Sequence, residues 1–176
     1  MTAATRAAPS RGRPTNPFRA LLHGLLLRGL RAPRLPHAPG WHKALAGGPS
    51  LVAFQVRGVR GQTLAAWLAL PRTAEAERPV PVVVAVHGWG ANGSTLSAMV
   101  DPLLRAGIAV ALFDAASHGD SSSEAFSSLP RFAEDLGAVL DTLRRMPAID
   151  ASRVALLGHS VGAAAVLLHA ARHGGV

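Results

Sequence analysis

From residue 51 onward, apolar and polar positions fall into runs whose lengths and periods define elements. Residues 51–57 and 63–70 are two apolar, β-favouring runs on either side of Gly58-Val59-Arg60-Gly61, which predicts a hairpin. Residues 80–86 (VPVVVAV) are an unbroken apolar run rich in β-branched residues, the pattern of a strand buried on both faces, and a charged loop over 73–78 precedes it. Between 94 and 105, Leu96, Met99, Val100, Leu103 and Leu104 recur at helical spacing, and Pro102 is expected to kink that helix or remove one of its hydrogen bonds. Residues 108–114 predict a second buried strand. Residues 130–145 predict a helix with Phe132, Leu136, Val139, Leu140 and Leu143 on one face, capped by Ser127 or Ser128 and stopped by Pro147. A third short buried strand is expected over 153–157, and a small-residue helix over 160–173 that ends at Gly174-Gly175. A hairpin followed by β-α-β-α-β-α implies an α/β fold, a mainly parallel sheet with helices on both faces. On such sheets function sits at the carboxyl ends of the strands, here the loops 87–93, 114–123 and 158–162.

The first 43 residues follow no such pattern. Residues 1–16 are small, polar and basic, and disorder is expected there. Residues 17–31 are Leu-rich and predict a short helix. Phe18, Leu21, Leu22 and Leu25 share a face, but Leu27 and Leu30 fall near Arg19 and His23, so the stripe is blurred, and Gly24 and Gly29 weaken the helix. Arg19, His23 and Arg28 interrupt the run well short of the length that spans a bilayer. The only good small-x-small cleavage site, Ala44-Leu45-Ala46, lies too far downstream for a signal peptide. A helix docking on its own or a partner protein is the first reading of 17–31, with a membrane-surface anchor and a targeting segment as alternatives. Residues 32–42, with three Pro, are expected to form an extended linker. The chain therefore divides into a basic, largely disordered tail, 1–43, and a partial domain, 44–176.

Charge sharpens that division. The 176 residues carry a net +8, and residues 1–43 account for all of it with seven Arg and Lys43 against no acid. The remainder is neutral, which removes the basic face that nucleic-acid binding requires. A 49% hydrophobic content rules out disorder throughout. The absence of Cys excludes disulfides, a thiol nucleophile and thiolate metal sites. A cytoplasmic location is the default expectation, with a peripheral-membrane one as the alternative.

The three loops carry the candidate chemistry. Gly158-His159-Ser160-Val161-Gly162 follows a predicted strand and opens a predicted helix, the context in which a Ser is pushed out on a tight turn as a nucleophile. Gly158 and Gly162 must be small because strand and helix nearly touch there. The competing reading is a Gly-rich helix start with a capping Ser. His87-Gly88-Trp89-Gly90 follows the first buried strand. Acyl transfer needs amide donors aimed at a developing oxyanion, and the amides of Val161 and Trp89 are the candidates, with Gly88 and Gly90 permitting close approach. The alternative is a plain Gly-rich turn. In the third loop, Asp114, His118 and Asp120 offer a reading as metal ligands, and His87 or His159 one as a general base. Neither is favoured, and no metal or cofactor is expected.

HGWGAN, DAASHGDS (114–121) and GHSVGAAA, in that order over some 120 residues and with DASRVALLGHS leading into the last, resemble the α/β-hydrolase superfamily, nearest to its esterase and serine-aminopeptidase-like members. The resemblance implies that Ser160 is the acyl nucleophile of a serine hydrolase cleaving a small-molecule carboxylic ester or amide, that Trp89 and Val161 form the oxyanion hole, and that Asp114, His118 and Gly119 belong to a structural loop bracing the site floor. Relatives often have Arg where this chain has Ala116, so a bracing ion pair is expected to be lost. In the superfamily the triad acid and His follow the nucleophile. No Asp or Glu follows Ser160 here, and His169 lies about 13 Å along its helix. The sequence thus reads as the N-terminal half of such a fold, truncated after the nucleophile helix, with the chain by itself inactive. A catalytically inactive half-domain and a membrane-associated lipid esterase held through residues 17–31 are the alternative readings; oligomeric state is left open.

Overall fold

The computed structural model describes residues 16–41, 50–74 and 78–174. The expected disorder of residues 1–16 falls, Asn16 apart, outside the described residues, as do the boundary at 43 and the Ala44-Leu45-Ala46 site. Helix α1 is Pro17–Gly29, with Asn16 Oδ1 accepting from the Phe18 N–H at its start. The hairpin strands β1 (Ser50–Arg57) and β2 (Thr63–Leu70) pair antiparallel, Arg57 opposite Thr63, and Gly58 and Gln62 close the turn through a 2.9 Å backbone bond. Strand β3 is Val80–Val86, β4 Ala109–Phe113 and β5 Ile149–Gly158. The sheet order is β1-β2-β4-β3-β5, parallel from β4 through β3 to β5.

Alternation along the strands builds two cores. Val82, Val84, Val86, Ala109, Ala111 and Phe113 point to one face, where α3 (Leu129–Leu143) and α4 (Val161–His173) cover them. Ala85, Val110, Leu112 and Trp67 point to the other, under a 3-10 helix (Gly93–Met99) and α2 (Val100–Arg105). The chain is therefore an α/β unit with helices on both faces of a mainly parallel sheet.

Three expectations change. The 94–105 helix is two pieces, and because α2 begins at Val100, Pro102 sits in its first turn, where its missing N–H leaves no bond unmade. Strand β5 is longer than 153–157 and only half buried. Among the described residues it pairs with β3 alone, Val154 and Leu156 pack on the core below, and Ala155 and Leu157 face out. Residues 30–41 are extended, as their prolines dictate, but they form a strap laid on the domain instead of a free linker. Ser127 donates to Leu30 O, Asn92 Nδ2 donates to Leu35 O and Pro36 O, and Ser94 Oγ accepts from Ala38 N–H. Trp41 ends the strap, buried, stacked on His37 and edge-on to Trp67. Ser128 is the N-cap residue of α3, without a side-chain capping bond, while Ser127 holds the strap.

Candidate active site

Strand β5 delivers Ser160 to a turn so tight that the serine takes φ +56° and ψ −123°, one of two non-glycine residues with positive φ among those described. L-residues occupy that region only when the surroundings impose it. Here the imposition is visible at both glycines. A Cβ on Gly158 would lie 2.4 Å from Ala163 N, and one on Gly162 would lie 2.2 Å from Val86 O. The turn is closed by Gly162 N–H to His159 O (2.9 Å) and Ala163 N–H to Ser160 O (3.0 Å), and it is tied to β3 by His159 N–H to Val86 O (3.0 Å). Ser160 is exposed at the mouth, at the positive end of α4.

The loop after β3 runs beside this turn. A Cβ on Gly88 would lie 3.1 Å from His159 Nδ1 and 3.4 Å from Ser160 Cβ, so the loop runs in direct contact with the turn. Gly90, at φ +73°, turns the chain away under Pro33 of the strap. Trp89 between them is partly exposed and leans on Phe132 and His118. The structure thus brings the expected residues Gly88, Trp89, Gly90, Gly158, Ser160, Val161 and Gly162 to one edge of the sheet.

His87 is fully buried, with Nε2 accepting from the Ala115 N–H at 2.9 Å, which leaves Nδ1 to donate to Gly88 O at 2.8 Å. Burial pushes its pKa down to about 4. Both nitrogens brace loops, so His87 is no base for Ser160. His169 lies buried on α4 against Gly137 of α3, away from the turn.

Asp114 is buried at the end of β4, where Oδ1 accepts from the Gly93 N–H and Oδ2 from the Asp120 N–H, both at 2.8 Å. It staples the loop after β3 to its own loop, and burial raises its pKa. Gly119, at φ +42°, is required because a Cβ there would lie 2.0 Å from Asp114 Oδ2. His118 does not join Asp114 and Asp120. Its Nδ1 lies 3.0 Å from Ala116 O and its ring sits among His87, Trp89 and Phe132. The histidine beside the two acids is His37 of the strap, with Nε2 3.0 Å from Asp114 Oδ2 and Nδ1 3.6 Å from Asp120 Oδ2. The three groups offer ligand atoms within 4.8 Å of one another, but both Asp114 oxygens already accept backbone amides.

An ion pair does brace this loop despite Ala116. Ala116 N–H donates to Asp135 Oδ2 at 2.8 Å, and Asp135 Oδ1 takes Arg60 at 2.7 Å and Gln62 at 2.6 Å. Arg60, from the hairpin turn, also binds Glu124 at 2.9 Å and pairs with Glu134. Sequence reading missed Arg60, Asp135 and His37. Arg60 stands in the sequence as a turn residue, and nothing near Asp135 or His37 marks either one.

Residues 77–176, more than half the chain, match the family of serine aminopeptidases S33. Among solved structures, the esterase Pf2001 of Pyrococcus furiosus superposes with a TM-score of 0.69 at 18% identity, over 83% of this chain and 55% of that one. The α/β hydrolase GrgF from Penicillium sp. sh18 gives 0.63 at 20%, over 70% and 42%. Est1E from Butyrivibrio proteoclasticus, solved with ferulic acid bound, gives 0.62 at 23%, over 69% and 48%. The chain spans about half the length of these structures. No curated protein sequence matches it. With its strand-turn-helix at Ser160 and a family match over residues 77–176, the chain belongs to the serine aminopeptidase S33 family of the α/β-hydrolase superfamily.

Proposed function

We propose that Ser160 is the acyl nucleophile of a serine hydrolase that cleaves a carboxylic ester or amide. Ester is preferred as the easier bond, and esterases are among the proteins of like fold. The observation that carries the reading is the backbone of Ser160, held at φ +56° and ψ −123° between two glycines that admit no Cβ. Energy stored in such a turn has a use when the hydroxyl must stand clear of strand and helix. In this reading Oγ attacks the acyl carbon, and the amides of Val161 and Trp89 donate to the oxygen as it gains charge. Val161 contributes the first free amide of α4, where the helix dipole adds to the donation.

The proton on Oγ needs a base. His87 is committed to Ala115 and Gly88, and His169 is packed against α3, so neither serves, and in this reading the acid and His of the triad are absent from this chain. The 176-residue chain alone then turns over no substrate, and an inactive half-domain is the competing reading.

A fluorophosphonate probe, which labels activated serines, separates these. Labelling of a longer product of the same locus but not of this chain, lost in Ser160→Ala, is the expected result. Labelling of neither form supports the inactive reading. Labelling of this chain itself shows that one of its own histidines serves as base.

A further inference from the structure

Helix α1 buries none of its residues, and Phe18, Leu21, Leu22, Leu25 and Leu26 are each 48–70% exposed. At about 100° per residue these five fall within an arc about 140° wide. Arg19 stands just past one border of that arc and Arg28 just past the other. Leu27, the only half-buried residue of the helix, lies on the opposite side. The stripe that looks blurred when every leucine is counted is one continuous exposed face once Leu27, half-buried, and Leu30, beyond the end of the helix, are set apart.

What covers that face is indicated by charge. Residues 1–43 carry +8 without an acid, while the rest of the chain is neutral. A second copy would bring a second +8 against the first, whereas an anionic bilayer offers both an apolar interior for the leucines and counter-charge for the arginines. At 13 residues the helix is too short to cross such a bilayer, and no helix among the described residues is long and apolar enough to do so. Its root is also fixed. Leu30 O accepts from Ser127 N–H, Arg31 Nε donates to Ala125 O, and Pro33 packs on Gly90, next to Trp89.

We propose that α1 is a membrane-surface helix whose partner is an anionic lipid bilayer, and that it holds the Trp89–Ser160 edge of the sheet close to that surface. The proposal rests on α1 and not on the chemistry of Ser160, so a failed probe labelling leaves it standing and a failed lipid binding leaves the hydrolase reading standing.

The test is flotation of the full chain with vesicles of phosphatidylcholine alone or mixed with phosphatidylserine. Binding is expected to the mixed vesicles, weak to the neutral ones, and falling with added salt. Arg19→Gln with Arg28→Gln should weaken it about twenty-five-fold, from about fivefold per arginine. Leu21→Asn with Leu25→Asn should weaken it at least about tenfold. All four positions are exposed, so thermal unfolding should not move. Binding to neither vesicle, equal binding to both, or a change of oligomeric state in place of vesicle binding when the leucines are replaced would each overturn the proposal.

Discussion

A methyl group decides the turn at Ser160. At Gly158 the clash is with backbone, Ala163 N at 2.4 Å and Ala163 Cα at 2.5 Å, and backbone cannot swing aside as a side chain can. Gly158→Val is therefore expected to lower the urea midpoint by the equivalent of about 2–4 kcal/mol and to free Ser160 from its positive φ. An unchanged midpoint would show that the turn relaxes cheaply and stores nothing. His87 makes a different prediction at the same scale. Its pKa is about 4 in the fold against an ordinary 6.5, so the unfolded chain takes up its proton first as pH falls. The contribution of His87 is thus complete above pH 6.5 and is lost progressively toward pH 4, by up to about 3 kcal/mol. Burial pushes His118 the same way, whereas Asp114 and Asp135, whose pKa values burial raises, oppose it at the acid end. Subtracting the pH–stability curve of His87→Gln, which keeps an acceptor for Ala115 N–H, isolates the histidine. A flat difference between pH 6.5 and 4 would mean that His87 charges freely in the fold.

Elements here are short-range readings joined by long-range side chains, and the two differ in how well a sequence displays them. The hairpin, β3, β4, α3 and α4 appear within a few residues of their predicted places because period and turn chemistry are local. The loops bearing Trp89, Asp114 and Ser160 follow from them. Arg60 with Asp135, 75 positions apart, and His37 with Asp114, 77 apart, have no local signature, since nothing near Arg60 says which acids its guanidinium will meet. Nor does local apolarity reveal exposure: residues 153–157 look like a core strand, and only the sheet order leaves one side of β5 open. The Arg60 cluster gives the element-scale test. Asp135 is buried with Arg60 as its charge partner, so Arg60→Ala strands a carboxylate and should cost about 3–5 kcal/mol in a chemical unfolding titration. Adding Asp135→Asn removes that charge while keeping an oxygen for Ala116 N–H or Gln62. The double variant should then be less destabilised than the sum of the single ones. Strict additivity would place the loss in the part-buried arms to Glu124 and Glu134 instead.

The molecule as a whole has a charged end and an open edge, and they predict different behaviour. All net charge sits in the first 43 residues, which favours solubility and repels like chains. The opposite tendency comes from β5, the last strand in the sheet order, paired with β3 on one side. Its outward residues include Leu157, 39% exposed, beside exposed Ala155, and the charges of β5, Asp150 and Arg153, pair with each other in its first half and leave 154–158 uncharged. Strand edges of this kind recruit other strands unless a charge or a bulge blunts them. The irregularity near Val80 and Val82 falls at the start of β5, leaving 154–158 in regular register with β3 and able to receive a partner. The chain is therefore expected to associate in the upper micromolar range, seen as a rise in scattering mass with concentration. Leu157→Lys, at a position that supports neither core, should suppress the rise without lowering the unfolding midpoint. Replacing the α1 leucines should leave it unchanged, because that face meets lipid and not another chain. If the Lys variant associates as the parent does, the open edge is not the contact. If the α1 variant alone stays monomeric, the helix is the self-association surface and the lipid assignment falls with it.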